Sequence, residues 1–366
     1  MMTPRRFTLL AIAGLAVIAL ALWVSSQRHL ERTLVLGQPV LPSLKSALNA
    51  VTEVRMVRGD GTRASLRKGA DTWMVAERDF PADFGRVRKL LLDLADLQIV
   101  EEKTRDPANY PQIGVEDVTS PKAGGTRVEI LSPGKTLSVI VGKPSGMKSV
   151  YARVGGEPQS VLATPQPSTD ADPRHWLERS VIDLPQERIK EVSVQPHGAP
   201  AYVVTRTSAQ QADFTVPNLP KGRELVSSSA ANPQAGGLAS LELDDVHKAA
   251  AVPADADHAT FTTFNGLTVD VTGHKDGDRR LITLNAQSSA KETADEAQRL
   301  NPRFGGWEIA IPSYKYDGLF KPLEDLLKKP EEPKKATAKG AKGTKKTGAE
   351  AAEQSPAQAP EQSQAK

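Results

Sequence analysis

The chain has 366 residues, 39% hydrophobic and 25% charged, enough to bury the cores of two ordinary domains or of one elongated body. It contains no cysteine, which excludes disulfides, thiolate metal sites, iron–sulfur clusters and cysteine nucleophiles. The formal charge of +3 collects at the ends: Arg5 and Arg6 near the start, and seven Lys against five Glu after Pro330. The part between is close to neutral, which argues against a nucleic-acid partner.

Residues 1–26 read as a short cytoplasmic start and a membrane anchor. Phe7 to Val24 carries no charge over about 18 residues, roughly 27 Å of helix and enough to cross the hydrocarbon core. Trp23 falls where an aromatic ring suits the lipid–water boundary, and Arg5 and Arg6 before the run put the N-terminus in the cytoplasm. The expected location is therefore the inner membrane, single-pass, with the lipid bilayer as a partner and the remainder periplasmic or otherwise extracytoplasmic. The small residues of Ala19-Leu20-Ala21 leave a cleaved signal peptide as the alternative.

Residues 27–43 read as a connector interrupted by Pro39 and Pro42. Residues 44–185 and 186–330 then read as one unit present twice. Each opens on an alternating strand, Glu53–Met56 and Glu191–Val194. A strand carrying an aromatic and a valine follows, Trp73-Met74-Val75 and Phe214-Thr215-Val216. The leucine-spaced segments Asp93–Ile99 and Gly237–Leu243 come next, with Leu94 set against Leu238. Val128–Ile130 and Leu137–Val141 are matched with Val269–Val271 and Leu281–Leu284, and Val150–Arg153 with Trp307–Ile309. A short helix closes each unit, near Trp176-Leu177 and near Leu323–Leu327.

Val87, Leu90, Leu91, Leu94 and Leu97 form one apolar stripe, and Asp83 is placed to cap that helix. Turn residues rather than helical crossovers join the strands. The expected fold class is therefore α+β: an N-terminal transmembrane helix, then two tandem units, each a mainly antiparallel sheet with a packed amphipathic helix. Residues 331–366 lack Val, Ile, Leu and aromatics and read as a disordered tail, whose Lys334–Lys346 cluster suits anionic lipid or polymer.

No dinucleotide, phosphate-loop, zinc-protease or serine-hydrolase motif is present. The best local cluster is Asp170, Asp172, His175 and Glu178. At three-residue spacing on a helix, Asp172, His175 and Glu178 would share a face that a metal could use. Asp172-Pro173 more simply reads as a helix cap with proline in the first turn and Trp176 and Leu177 turned inward. Asp255, Asp257 and His258 lie in a turn, and Asp244, Asp245 and His247 read as the exposed end of the second leucine helix. No catalytic, cofactor-binding or metal-ligating residue is assigned. Trp73, Leu94, Trp176, Phe214 and Leu238 are expected to be structural.

The Asp71-Thr72-Trp73 strand, Phe80-Pro81-Ala82-Asp83 opening a leucine helix, Asp106-Pro107 with Tyr110 and Gly114, and the run Asp172 to Arg179 (DPRHWLER) together resemble a bacterial family. It is catalogued as domain of unknown function 4340, and the likeness spans roughly Leu44 to Leu327. The resemblance implies an accessory component beside an ABC-type transporter resembling the gliding-motility system, with integral-membrane partners and without catalytic residues. The expected function is a membrane-tethered binding or scaffolding subunit. An extracytoplasmic hydrolase or metal-dependent enzyme acting on envelope polymers is the first alternative, and a carrier of apolar ligands the second.

Overall fold

Alternation of apolar and polar residues builds the antiparallel strands that organise the fold. The structure is a computed structural model and describes residues 36–329, so the expected anchor (Phe7–Val24) and the tail from Glu331 lie outside the described residues. Among the described residues no helix is long and apolar enough to cross a membrane. The fold is α+β with few helices.

The first sheet has nine strands: β1 (Glu53–Arg58), β2 (Arg63–Lys68), β3 (Trp73–Val75), β4 (Phe80–Pro81), β5 (Gln98–Glu102), β6 (Thr126–Ser132), β7 (Lys135–Ser145), β8 (Ser149–Val154) and β9 (Ser160–Thr164). Their order is β4-β3-β2-β1-β6-β7-β8-β9-β5. A two-stranded ribbon pairs β10 (Ser180–Ile182) with β13 (Leu241–Glu242). The second sheet contains β11 (Ile189–Gln195), β12 (Tyr202–Thr205), β14 (Asp245–Lys248), β15 (Asp257–Thr263), β16 (Leu267–Asp276), β17 (Arg279–Ser288) and β18 (Trp307–Ala310), in the order β12-β11-β15-β16-β17-β18-β14.

Helix α1 (Phe84–Ala95) forms as its stripe predicts. Asp83 is extended at ψ 103° and its side chain accepts from the Arg86 N–H, while Val87, Leu90, Leu91 and Leu94 are buried. Helix α2 (Lys291–Phe304) packs against β17, and α3 (Ser313–Leu319) buries Tyr316 and Leu319. Up to Leu327 the described residues form one compact unit, and a single main core cluster runs through both sheets.

Five expectations need correction. The Gly237–Leu243 segment is not a helix. Pro233, Gly236 and Gly237 confine helix to the single turn Asn232–Ala235, Ser240 has φ 45°, and Leu241 already lies in β13. Asp245 and His247 therefore lie on β14 and not at a helix end. The closing helices are single 3-10 turns, Pro173–Trp176 and Leu323–Leu326. The end of the connector belongs to the fold: Val40 and Leu41 are buried, and the Gly37 and Val40 N–H groups donate to the Ile99 and Leu97 carbonyls at 2.8 and 2.7 Å. Finally, the strands matched in sequence hold different places in their sheets: β6, with Val128–Ile130, lies beside β1, whereas β16, with Val269–Val271, is separated from β11 by β15.

Candidate functional site

Two backbone contacts bring distant residues together at the start of α1. The Asp83 N–H donates to the Trp176 carbonyl at 2.8 Å, and Ala82 forms a bridge with Leu177. They seat the Pro173–Trp176 turn against the first turns of α1. Between them lies a cleft of about 280 Å³, lined by Arg86, Lys89, Leu90, Ser168, Asp170, His175 and Trp176.

Trp176 is 3% exposed and its indole N–H donates to the Asp170 carbonyl at 2.7 Å, which fixes the floor. Nδ1 of His175 is hydrogen-bonded to Oδ2 of Asp170, and Arg86 Nη1 donates to the His175 carbonyl at 2.6 Å. The His175 side chain remains 58% exposed. The cleft therefore offers water-facing cationic and hydrogen-bonding groups over an apolar floor.

The four residues singled out in sequence do not converge. Asp170 and His175 meet, but Asp172 turns back as the cap of its own 3-10 turn, accepting from the Arg174 N–H at 2.9 Å. The Arg174 guanidinium also bonds its carboxylate and holds it below the usual carboxylate range. Glu178 faces the Ser180 N–H at 3.4 Å and Arg303 at 3.8 Å. Among the described residues no group of three His, Asp or Glu has the geometry to hold a metal. Arg86 and Lys89 were not foreseen as lining residues. Their three-residue spacing on α1 is legible, but their meeting with the DPRHW run depends on the Asp83–Trp176 contact.

The other candidates separate. Asp257 opens β15, accepting from the Tyr316 hydroxyl at 2.5 Å and the His197 N–H at 2.6 Å. Burial and that carboxylate push the Tyr316 phenol well above its ordinary pKa. These groups lie on a second, open cleft of about 630 Å³ with Lys275, Tyr314 and Lys321. His258 instead faces Thr272, with 3.3 Å between Nδ1 and Oγ1. Asp245 binds Arg78 through two bonds of 2.6 and 2.8 Å, joining β14 to the turn before β4. Asp244 accepts from Arg179 at 3.0 Å. Trp73, Leu94, Trp176, Phe214 and Leu238 are all buried.

The class the fold and cleft define is an α+β protein of two antiparallel sheets on one core, with a solvent-open polar cleft at the head of α1. The sequence pattern of the family described as a domain of unknown function, DUF4340, matches residues 73–262. That is about half of the chain and includes the cleft. The chain belongs to this family. No curated protein and no solved structure matches it.

Proposed function

We propose that this protein is a membrane-tethered, extracytoplasmic binding and scaffolding subunit acting beside an ABC-type membrane complex. One observation carries the reading. Twelve residues after the apolar run Phe7–Val24, the chain is already hydrogen-bonded into the first sheet at Gly37–Val40. Even fully extended, that spacing reaches only about 40 Å, so an anchored chain keeps its folded body beside the bilayer. Confinement of this kind raises the effective concentration for a membrane partner. The exposure of the Asp170–His175 pair favours binding over the hydrolase alternative, since general base work is better served by a pair shielded from water.

The same proposal takes the two halves as copies of one unit. Several facts support it beyond the strand order. Val54 opposes Leu66 and Ile130, and Val192 opposes Val204 and Phe261. Arg67 opposes Met74 as Thr205 opposes Thr215, which sets Trp73 against Phe214. The Asp83 N–H donates to the Trp176 carbonyl, and the Val226 N–H donates to the Leu326 carbonyl. Asp79 and Gly222, both at positive φ, precede those contacts by similar intervals.

The test is membrane fractionation followed by crosslinking of the full chain. Resistance to alkaline extraction and crosslinks to an ABC-type permease are expected. A chain released by alkali, or one that crosslinks to no integral-membrane protein, overturns the reading.

A further inference from the structure

We propose that the open cleft beside α3 binds an uncharged saccharide, with a sugar ring stacked on Tyr314 and hydroxyls bonded to Asp317, Asp325, Lys275 and Lys321. The inference does not depend on the tether described above. The cleft, of about 630 Å³, lies among α3, the end of β16 and the Leu323–Leu326 turn. That size is ordinary for a small-molecule site. Its outer side chains have no partners within the fold. Among the described residues, Lys275, Asp317, Lys321 and Asp325 make no side-chain hydrogen bond and no ion pair. Tyr314 is 71% exposed and meets no other ring.

The floor beneath them is fixed. The Tyr316 hydroxyl donates to Asp257, whose other oxygen accepts from the His197 N–H. The Tyr202 hydroxyl donates to the Lys321 carbonyl at 2.7 Å. The Tyr316 and Phe320 rings lie 4.8 Å apart, centroid to centroid, and both press on Gly273 of β16. A Cβ at that position would come within 2.4 Å of Phe320 and 2.8 Å of Tyr316, so the floor needs glycine there. The cleft therefore joins a rigid aromatic base to a rim of unpaired donors and acceptors, an arrangement prepared for a ligand.

Charge and backbone select the ligand class. Asp257, Asp317 and Asp325 line the cleft together with Lys275 and Lys321. An anion meets the carboxylates, and a cation meets the ammonium groups. An uncharged polyol uses both, since each hydroxyl can donate to a carboxylate or accept from an ammonium, while the C–H face of the ring lies on an aromatic side chain. An extended peptide is served less well, because such peptides bind by joining an open strand edge. Both strands that reach the cleft are interior: β15 lies between β11 and β16, and β16 between β15 and β17. Only His274–Asp276 runs past the end of β15, too short a stretch to hold a peptide by its backbone.

The test is a saturation-transfer NMR titration of the full chain in a detergent without a sugar headgroup. The probes are maltotetraose, cellotetraose and the tetramer of N-acetylglucosamine. At least one should bind, with an affinity that changes by less than about twofold between low and high salt, as an uncharged ligand requires. Tyr314→Ala should weaken binding about tenfold and Tyr314→Phe restore it, while Asp317→Ala and Asp325→Ala should each weaken it about fivefold. These side chains are exposed, so the thermal midpoint should stay at the parent value and separate lost binding from lost folding. His175→Ala, in the other cleft, should leave binding unchanged. Transfer to none of the three sugars, or binding indifferent to Tyr314→Ala, overturns the inference. Salt-dependent binding of tetralysine or tetraglutamate that the same substitutions weaken, with the sugars inert, overturns it in favour of a charged peptide. None of these readouts involves the bilayer, so their failure leaves the tether standing.

Discussion

At the scale of the residue, Trp176 and His175 are neighbours with opposite duties. Trp176 fills the floor of the cleft and is held by its own N–H, so Trp176→Ala should cost about 3–5 kcal/mol in urea unfolding. His175→Ala removes a largely exposed ring and should change stability by about 0.5 kcal/mol, with or without a chelator. A costly His175 variant together with a chelator-sensitive parent would point to a metal. Asp172 and Glu53 set the acid limit. Arginine hydrogen bonds hold both carboxyls below their ordinary range in the folded state. As pH falls through about 4, the unfolded chain takes up protons that the folded chain still refuses, and stability is lost. Asp172→Asn and Glu53→Gln should flatten that part of the stability profile, measured by urea midpoints from neutral pH downward. Asp172-Pro173 as a cap and Trp176 as an inward anchor were legible in sequence because both are local rules. The Asp170–His175 pair was not, since a 3-10 turn replaces the helix on which the spacing was drawn.

At the scale of the element, α1 shows what periodicity can deliver. Four of the five stripe residues, Val87, Leu90, Leu91 and Leu94, and the cap follow from spacing, because an amphipathic helix of 12 residues needs only one apolar face to settle it, while Leu97 falls beyond the end of the helix. Asp83→Ala should cost about 1 kcal/mol, read as a lower urea midpoint, while the Trp176 turn stays seated because the Asp83 contact to it is made by the backbone N–H. The second leucine segment misleads because Leu238, Leu241 and Leu243 fit a helix wheel loosely and a strand nearly as well. Two glycines and a proline upstream break the tie toward extended chain. Matching strands by aromatic landmarks passes over β15 (Asp257–Thr263), whose first residues Asp257 and His258 read as a turn, so Val128–Ile130 of β6 is set against β16, which does not adjoin β11. Sequence spacing does not reveal the missed strand, whereas sheet order does.

At the scale of the molecule, contacts around the β3–β4 turn join the first sheet to elements of the second, on top of the shared core. Phe80 is fully buried against Phe304 (6.1 Å) and Trp307 (5.4 Å, edge-on), both from the second half. Beside it Arg78 pairs with Asp245, both side chains largely out of water, and Asp79 pairs with Lys248 at 3.0 Å. Arg78→Ala leaves the Asp245 carboxylate without that partner and should cost about 1–3 kcal/mol, less than a wholly buried pair because water still reaches the site. The urea transition should stay single. A split into two transitions would mean that the halves fold independently once the pair is gone. Arg78 and Asp245 are 167 positions apart and Asp79 and Lys248 are 169 apart, which is why this junction was not legible in the sequence.

The pairing of Gly37–Val40 with Leu97–Ile99 also bears on force. A load applied through the N-terminal end of the fold meets three backbone hydrogen bonds of 2.7–2.9 Å before it meets any side chain of the core. Val40 and Leu41 are buried immediately behind them, so peeling must expose apolar surface as soon as the bonds part. The first sheet thus carries its own latch at the point of loading: a slack chain leaves the latch shut, and a pulled one opens it a residue at a time toward α1.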